Sequence, residues 1–573
     1  MKSLSTFFRG PRAQLAVHYA SWALLLGVSA AYLGVWFHGN WGMLVDPGLQ
    51  TDDARTTLFP FHRYGSAGTL ADDPIAREML ALVPPGVRLL YRVLVPIVDI
   101  FVAAKIVQAL ALAILVWAAV VLGRARRAGW AAAALLVFFV LHDSFAIGRV
   151  AGGLPRAFAF PCFALWTAGV IAGNRRARFA APILAALTYP SAMNLLLAAE
   201  GLYSLRGVGA VATGVVLRRF QRYGILVGLC VLAALPAVLG DDERGPIHTL
   251  EQAEQEPAFG KAGRLWLLPF EKPTEALGHA FVDPLKPRGG SPVPLLKTWA
   301  DRDPEMVATL LVALVLVVPL LRLGAVPWSA AAFGAGSVIL YFLARALAFR
   351  LYSPERYYSY GMRATLLVLL VATFAQLWFR LRPQLRSSAR NATAAFLIFG
   401  VWSVSGNGVI RGNGMELDVH RDQKMYEFIR TLPPNVRFAS HILDGDGIPL
   451  FGARANMGGF ETLQPWFVNS WARQKKRAFE TLDALYATDA DAVLSYAKRN
   501  HVTHFLINKN RYGVGLGKAS GSFQPFSDYT RSVLRGRENR HLVFSRVPEE
   551  AVVFAEGRFK IASVALLERA WKP

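Results

Sequence analysis

Cysteine is nearly absent from this 573-residue chain, and charged residues are scarce. The two cysteines, Cys162 and Cys230, lie inside apolar runs, which excludes a disulfide framework and a thiolate metal site. Charged residues make up 18% of the sequence and hydrophobic residues 54%, whereas soluble domains have about 25% and about 45–50%. The 49 glycines and 32 prolines are ordinary fractions, which excludes a collagen-like or disordered chain. The composition therefore predicts a membrane protein.

Acidic residues are the scarcer of the two charged classes, with 39 Asp and Glu against 62 Lys and Arg, a net charge of +23. In a soluble protein this excess would suggest a nucleic-acid partner. In a membrane protein the same excess is typical of cytoplasmic loops. We therefore expect no nucleic-acid partner and use the basic residues to predict orientation.

Long apolar segments occupy much of the first 410 residues. The first, Gln14–Phe37, is longer than the apolar core of about 7–15 residues in a signal peptide, so we interpret it as an uncleaved span. Further spans are predicted at Phe101–Leu122, Ala131–Ile147, Ala157–Ala172, Tyr223–Gly240, Met306–Leu321, Pro327–Ala346, Met362–Phe379 and Ala392–Ile410. The segment Phe179–Leu205 contains Pro190, which divides it into two halves too short to cross a bilayer straight.

Basic clusters set the expected orientation, because short cytoplasmic loops retain Lys and Arg. Besides the N-terminus, four clusters qualify: Arg124/Arg126/Arg127, Arg175/Arg176/Arg178, Arg218/Arg219/Arg222 and Arg380/Arg382/Arg386/Arg390. Placing all of them in the cytoplasm requires Phe179–Leu205 to leave and return as a broken helical pair. The predicted fold is a mainly α, polytopic transmembrane bundle of about eleven spans, with the N-terminus cytoplasmic and the C-terminus outside, in a bacterial inner membrane.

The expected domains are a transmembrane domain over residues 1–410, with outer loops 38–95 and 241–305, and an outward-facing α/β domain over residues 411–573. The tail alternates helix-like with β-rich stretches. The predicted helices are Gln423–Thr431, Trp471–Tyr486 and Asp489–Asn500, and the predicted strands are Arg437–Ser440, Val502–Ile507, Ala551–Phe554 and Phe559–Val564.

Two adjacent carboxylates, Asp52 and Asp53, open the first outer loop. One interpretation is that they cap the N-terminus of a helix, an ordinary role for Asp. The alternative is catalytic: such a pair can accept a proton from a hydroxyl group, or hold a divalent cation such as Mg or Mn. The sequence leaves both interpretations open, and it leaves metal dependence open as well.

Arginines are unusually frequent in the outer connections, where the charge rule predicts few. They either extend towards lipid phosphates or bind a specific anion, because guanidinium matches phosphate oxygens in bidentate fashion. The candidate phosphate and donor-binding residues are Arg55, Arg149, Arg156, Arg345 and Arg356, with Tyr357 among aromatics that could stack on a sugar or an isoprenoid. In the tail, Asp444, Asp446, Arg454, Glu461 and Trp466 either contribute to acceptor recognition or build loops.

The chain resembles the GT-C superfamily of polytopic membrane glycosyltransferases. The matching features are Asp52-Asp53 soon after the first span, the outer segments Pro155-Arg156-Ala157-Phe158 and Pro354-Glu355-Arg356-Tyr357, and an outward C-terminal domain. The resemblance implies a lipid-phosphate sugar donor and a catalytic Asp in the first outer loop. The tail lacks a Trp-Trp-Asp-Tyr-Gly type motif, which argues against transfer to Asn side chains.

The function expected from these features is inverting transfer of a sugar from a polyprenyl-phosphate donor to a glycan, lipid or protein acceptor outside the cytoplasm. Such a donor needs no nucleotide-binding domain, and the sequence contains no Walker-type Gly-rich loop. The alternatives are a transporter or flippase of lipid-linked saccharides, for which a broken helix would be a natural site, and a polymerase that uses lipid-linked chains.

Overall fold

The computed structural model describes residues 11–65, 68–126, 128–206, 213–238, 244–273, 275, 326–378, 383–405, 416–512, 522–538 and 541–571. The predicted span Met306–Leu321 therefore lies outside the described residues. The chain folds into a helical membrane body that is followed by a small domain built on a β-sheet.

The first half of the membrane body begins with a long helix and then forms short elements in the outer loop. In chain order these are α1 (Pro11–Val45), β1 (Leu49–Thr51), α2 (Ala54–Thr57), α3 (Pro74–Ala81), α4 (Pro85–Leu94), α5 (Ile100–Gly123), α6 (Gly129–His142), α7 (Ser144–Val150) and α8 (Ala159–Ala172). Helix α5 begins where the Asp99 side chain accepts a hydrogen bond from the Phe101 amide, 2.8 Å away. It ends at Gly123, directly before Arg124, the first residue of a predicted cytoplasmic cluster.

The second half contains α9 (Arg175–Thr188), α10 (Pro190–Ser204), α11 (Thr213–Val238), α12 (Leu250–Gln255), α13 (Trp328–Ala346), α14 (Glu355–Leu377) and α15 (Pro383–Ser405). The predicted break at Tyr189-Pro190 is confirmed, because α9 ends at Thr188 and α10 begins at Pro190. At 14 and 15 residues, each is shorter than the roughly 20 residues that span a bilayer.

Five helices in the described part of the chain are long and apolar enough to cross a membrane, and a sixth span results if α6 and α7 count as one bent pair. The predicted span Ala131–Ile147 is not one continuous helix, because α6 ends at His142 and the chain bends by 79°. The cause is Asp143, whose carboxylate caps α7 through the amide of Phe145 at 2.9 Å and pairs with Arg363 at 2.8 Å. The expected number of about eleven spans therefore stays a prediction.

The tail forms the predicted α/β domain. Its elements are β2 (Glu416–Asp418), α16 (Gln423–Thr431), β3 (Arg437–Ser440), β4 (Ala455–Asn456), α17 (Val468–Leu485), α18 (Ala490–Arg499), β5 (His504–Asn508), α19 (Phe526–Leu534), β6 (Val552–Glu556), β7 (Phe559–Ser563) and α20 (Val564–Trp571). The sheet order is β4-β3-β5-β7-β6, with β4, β3 and β5 parallel and the last two strands antiparallel. Strand β2 lies apart from this sheet and pairs with β1 of the first outer loop, Gln50 opposite Leu417.

Buried apolar contacts join the tail to the membrane body. Phe451 belongs to the same hydrophobic core as the membrane helices, and its ring stacks on that of Phe101 with a centroid separation of 5.5 Å. Burial of such surface stabilises by roughly 25 cal/mol per Å². The tail therefore packs against the membrane body, and its polar residues lie close to the outer loops.

Candidate functional site

The acidic pair lies where the first outer loop leaves the membrane body. Lys105 of α5 donates hydrogen bonds to the carbonyl oxygens of Met43 at 2.9 Å and Leu49 at 2.6 Å, and so ties the end of α1 to β1. Asp53 occupies the N-cap position of α2, but its side chain makes no capping hydrogen bond. The side chains of Asp52 and Asp53 are 37% and 42% exposed. The helix-capping interpretation of this pair is therefore not supported for Asp53, and both carboxylates are accessible.

A glycine turn places the arginine segment beside the acidic loop. Gly152 and Gly153 have φ angles of +84° and +67°, which favour glycine. A Cβ atom on Gly152 would lie 2.6 Å from Thr51 Oγ1, and one on Gly153 would overlap the carbonyl oxygen of Ala104. The amide of Gly152 also donates to Gln108 Oε1 at 2.7 Å. One face of α5 thus holds both the acidic loop and the glycine turn.

The two predicted groups meet directly, because Arg156 forms an ion pair with Asp53. Arg156 is buried, with 7% exposure, whereas the carboxylate that it contacts is open to solvent. Among the described residues the Nε atom of Arg156 has no hydrogen-bond partner. The guanidinium therefore retains donor capacity beyond its pair with Asp53.

Arg149 and Arg356 approach the same region through shared aromatic neighbours. Arg356 donates hydrogen bonds to the hydroxyl groups of Tyr360 at 3.1 Å and Tyr189 at 3.4 Å. Arg149 lies over the ring of Phe145, 4.7 Å from its centroid, and that ring contacts Tyr360. Within the described part of the chain neither arginine forms an ion pair with a carboxylate within 4 Å. Their charges are thus available to an anion.

Two candidates from the sequence are placed elsewhere. Arg345 donates to the backbone oxygen of Glu271 at 2.8 Å and so holds the second outer loop. The hydroxyl of Tyr357 donates to the carbonyl oxygen of Leu351 at 2.7 Å and accepts from Asn194 at 3.0 Å, and the side chain is fully buried. The structure therefore gives both residues structural contacts and does not bring them to the acidic pair.

Arg55, predicted to contact the donor, lies among three carboxylates. It forms an ion pair with Asp52, and its guanidinium nitrogens lie 3.7 Å from Asp446 Oδ2 and 3.8 Å from Glu461 Oε1. Glu461 also pairs with Arg264 of the second outer loop at 2.9 Å. We call these five residues the Arg55 cluster. It joins both outer loops to the tail.

Burial changes the ionisation of this cluster. Burial raises the pKa of Asp446 to about 7, although Arg55 and the Glu461 amide oppose the shift. Burial also lowers the pKa of Arg55, but the carboxylates of Asp446, Asp52 and Glu461 outweigh it, so the net shift is upward. Arg55 is therefore charged at every physiological pH, while Asp446 titrates near neutrality.

Asp446 and Glu461 were expected either to contribute to acceptor recognition or to build loops. Their contact with Arg55 was not predicted. Asp446 follows β3, and Glu461 follows β4. Because parallel strands end at the same edge of a sheet, the turns after β3 and β4 are neighbours, and Asp446 Oδ1 accepts the Glu461 amide at 3.0 Å. The glycine-rich turns Asp444-Gly445-Asp446-Gly447 and Gly458-Gly459 were the available signal.

The described residues contain no group of three or more His, Cys, Asp or Glu side chains arranged to hold a metal ion. The acidic side chains pair with arginines instead: Asp53 is engaged by Arg156, and Asp52, Asp446 and Glu461 are engaged by Arg55. The Mg or Mn site that the sequence left open at Asp52 and Asp53 therefore does not fit this arrangement.

No protein-family model matches the chain, and no curated protein matches it. Similar solved structures include the Archaeoglobus fulgidus oligosaccharyltransferase in complex with Zn and sulfate, with 11% identity, a TM-score of 0.39, and coverage of 88% of this chain and 70% of that one. The apo form of that enzyme has 11% identity and a TM-score of 0.37, covering 89% and 72%. The archaeal oligosaccharyltransferase AglB from the same organism, with an inhibitory peptide and a dolichol-phosphate, has 10% identity and a TM-score of 0.37, covering 90% and 72%. At these values the likeness assigns no activity.

Proposed function

We propose that the protein is an integral membrane glycosyltransferase of the GT-C type that transfers a sugar, with inversion, from a polyprenyl-phosphate-linked donor to an acceptor outside the cytoplasm. The observation that carries this proposal is the contact between Asp53 and Arg156. It brings an accessible acidic pair next to a group of arginines at the end of apolar helices. Those are the two kinds of group that the reaction needs.

The arginines would bind the phosphate of the donor. When the sugar leaves the lipid, negative charge develops on the departing phosphate oxygen, and preorganised cations stabilise it. Arg149, Arg156 and Arg356 supply guanidinium groups in a largely buried setting. Charge-assisted hydrogen bonds to phosphate are strongest where water is excluded.

The acidic pair would activate the acceptor. Asp52 or Asp53 accepts the proton from an acceptor hydroxyl as its oxygen attacks the anomeric carbon. The new carbon–oxygen bond forms on the face opposite the phosphate, the bond to the phosphate oxygen breaks, and the lipid phosphate departs with the bonding electron pair. Attack from the opposite face inverts the anomeric configuration.

Separate replacement of the two aspartates tests this proposal. The experiment uses purified full-length Asp52→Asn and Asp53→Asn variants with a panel of undecaprenyl- and dolichyl-phosphate monosaccharides. Turnover should fall by about 10²–10⁴-fold in one of the two variants, the one that lacks the base. Asp72→Asn is the matched control, because Asp72 is an exposed carboxylate in the same loop. Full turnover in both test variants would remove the proposed base.

Product analysis in the same experiment separates the alternatives. A transferred monosaccharide with inverted configuration supports the proposal. A lipid-linked saccharide moved across the membrane unchanged indicates a flippase, and a lengthened lipid-linked chain indicates a polymerase.

A further inference from the structure

The three carboxylates of the Arg55 cluster are of the chemical type that binds divalent cations, but a side-chain cation, Arg55, lies between them. Asp52 belongs to the first outer loop, and Asp446 and Glu461 belong to two separate turns of the tail. All three carboxylates are directed at one guanidinium, with Asp446 and Glu461 within 3.8 Å and Asp52 closer still. Carboxylate oxygens from separate segments are the ligands that Mg²⁺ and Mn²⁺ prefer.

The two buried carboxylates of this cluster, Asp446 and Glu461, also accept hydrogen bonds from other protein donors. Asp446 Oδ1 accepts the Glu461 amide at 3.0 Å. Glu461 Oε2 accepts from Arg264 at 2.9 Å and from Thr56 Oγ1 at 3.1 Å. Asp446 and Glu461 are 6% and 2% exposed, so an entering metal ion would have to displace protein donors and bring a second positive charge next to Arg55.

We propose that Arg55 is the resident cation of this acidic cluster, and that the protein takes no divalent metal ion there. This inference deepens the proposed function and rests on it only for its catalytic consequence, which is that turnover does not depend on a metal. That Arg55 is the cation bound by these carboxylates does not depend on any assignment of activity.

A guanidinium can carry out the electrostatic part of a metal ion's role at this position. Arg55 remains charged throughout the physiological range and offers five N–H donors in a fixed plane. It compensates the buried acids of the tail and at the same time orients Asp52, one of the two candidate bases. Unlike a metal ion, it cannot dissociate, so the first outer loop and the tail stay linked without a bound cofactor.

Removal of Arg55 should convert the cluster into a metal site. We expect no saturable Mn²⁺ binding by the metal-free wild-type protein in nanodiscs, measured by electron paramagnetic resonance with Mn²⁺ alone. Arg55→Ala should acquire one saturable Mn²⁺ site per chain, because three carboxylates then face each other without a cation between them. Addition of Asp446→Asn and Glu461→Gln to Arg55→Ala should abolish this binding, and Arg77→Ala, which removes an exposed arginine of the same loop, should acquire none.

Two results would overturn the inference. One is stoichiometric Mn²⁺ binding by the wild-type protein that Asp446→Asn removes. The other is a folded Arg55→Ala protein, with an unchanged gel-filtration profile, that binds no Mn²⁺. Arg55→Gln, which retains hydrogen-bond donors, is the substitute if the alanine variant does not fold, and the same two results apply to it. No substrate enters these measurements, so failure of the proposed glycosyltransfer would be seen separately.

Discussion

At the residue scale, Asp446 links the ionisation of the Arg55 cluster to stability. Its pKa is raised to about 7 from an ordinary 3.8, so the folded chain keeps this proton to higher pH than the unfolded chain does. The resulting stabilisation is fully present below about pH 4 and is lost as pH rises through about 7, at a rate of at most about 1.4 kcal/mol per pH unit.

Asp446→Asn should remove this pH dependence. We expect the difference in melting temperature, variant minus wild type, to increase from pH 5 to pH 8. The reason is that only the wild type loses the stabilising proton over this range. Tryptophan fluorescence during heating in detergent measures it, with Asp72→Asn as the control. Parallel pH profiles for Asp446→Asn and the wild type would contradict the assigned ionisation.

At the element scale, helix α5 sets the position of both segments of the candidate site, the acidic loop and the glycine turn before Arg156. Lys105 holds the end of α1 and β1, Gln108 holds Gly152, and the backbone at Ala104 receives Gly153 without room for a side chain. The distance between the acidic loop and the Arg156 segment therefore depends on one rigid element. In the proposed reaction, preorganisation of this kind would place the acidic pair and Arg156 before the substrate binds.

Gly153→Ala should disturb this placement. A Cβ atom there would overlap a backbone oxygen at a φ of +67°, so α5 or the glycine turn must shift. Gly173→Ala is the matched control, because Gly173 has a φ of +68° and a Cβ atom added to it would meet nothing within 4 Å. The control should lose about 1–3 kcal/mol from backbone strain alone. We expect Gly153→Ala to lose more free energy of unfolding than the control and also to lower turnover. Equal thermal unfolding and equal turnover in Gly153→Ala and Gly173→Ala would contradict the close packing of Gly153 against α5.

At the scale of the whole molecule, the bounds of individual helices and strands were predictable from the sequence, but contacts between residues distant in sequence were not. The predicted span Phe101–Leu122 differs from α5 by one residue at each end, and Gln423–Thr431 and Arg437–Ser440 match α16 and β3. Hydropathy and β-propensity are local, so the sequence carries them directly. By contrast, the hydrogen bond between Thr56 and Glu461 joins positions 405 residues apart, and no spacing rule indicates which tail turn docks on which loop.

The docking of the tail depends on a second buried carboxylate, Glu78 of α3. It accepts hydrogen bonds from three residues of α17: Ser470 at 2.7 Å, Arg473 at 2.6 Å and Gln474 at 3.0 Å. Since Glu78 is 7% exposed, a neutral amide in its place would leave at least one of these donors unpaired. Loss of a buried partner costs about 1–3 kcal/mol.

Glu78→Gln should therefore loosen the tail and, through it, the Arg55 cluster, because Asp446 and Glu461 reach Arg55 only while the tail is docked. We expect faster hydrogen exchange in α17 and also in residues 51–57 of the first outer loop, whereas the hydrogen bonds of the Glu78 carboxylate in the described structure go to α17. Glu480→Gln, which changes an exposed pair with Lys476 on the same helix, should alter neither. Faster exchange confined to α17 would mean that the acidic loop holds its position without the tail, and the tail would then have no part in orienting Asp52.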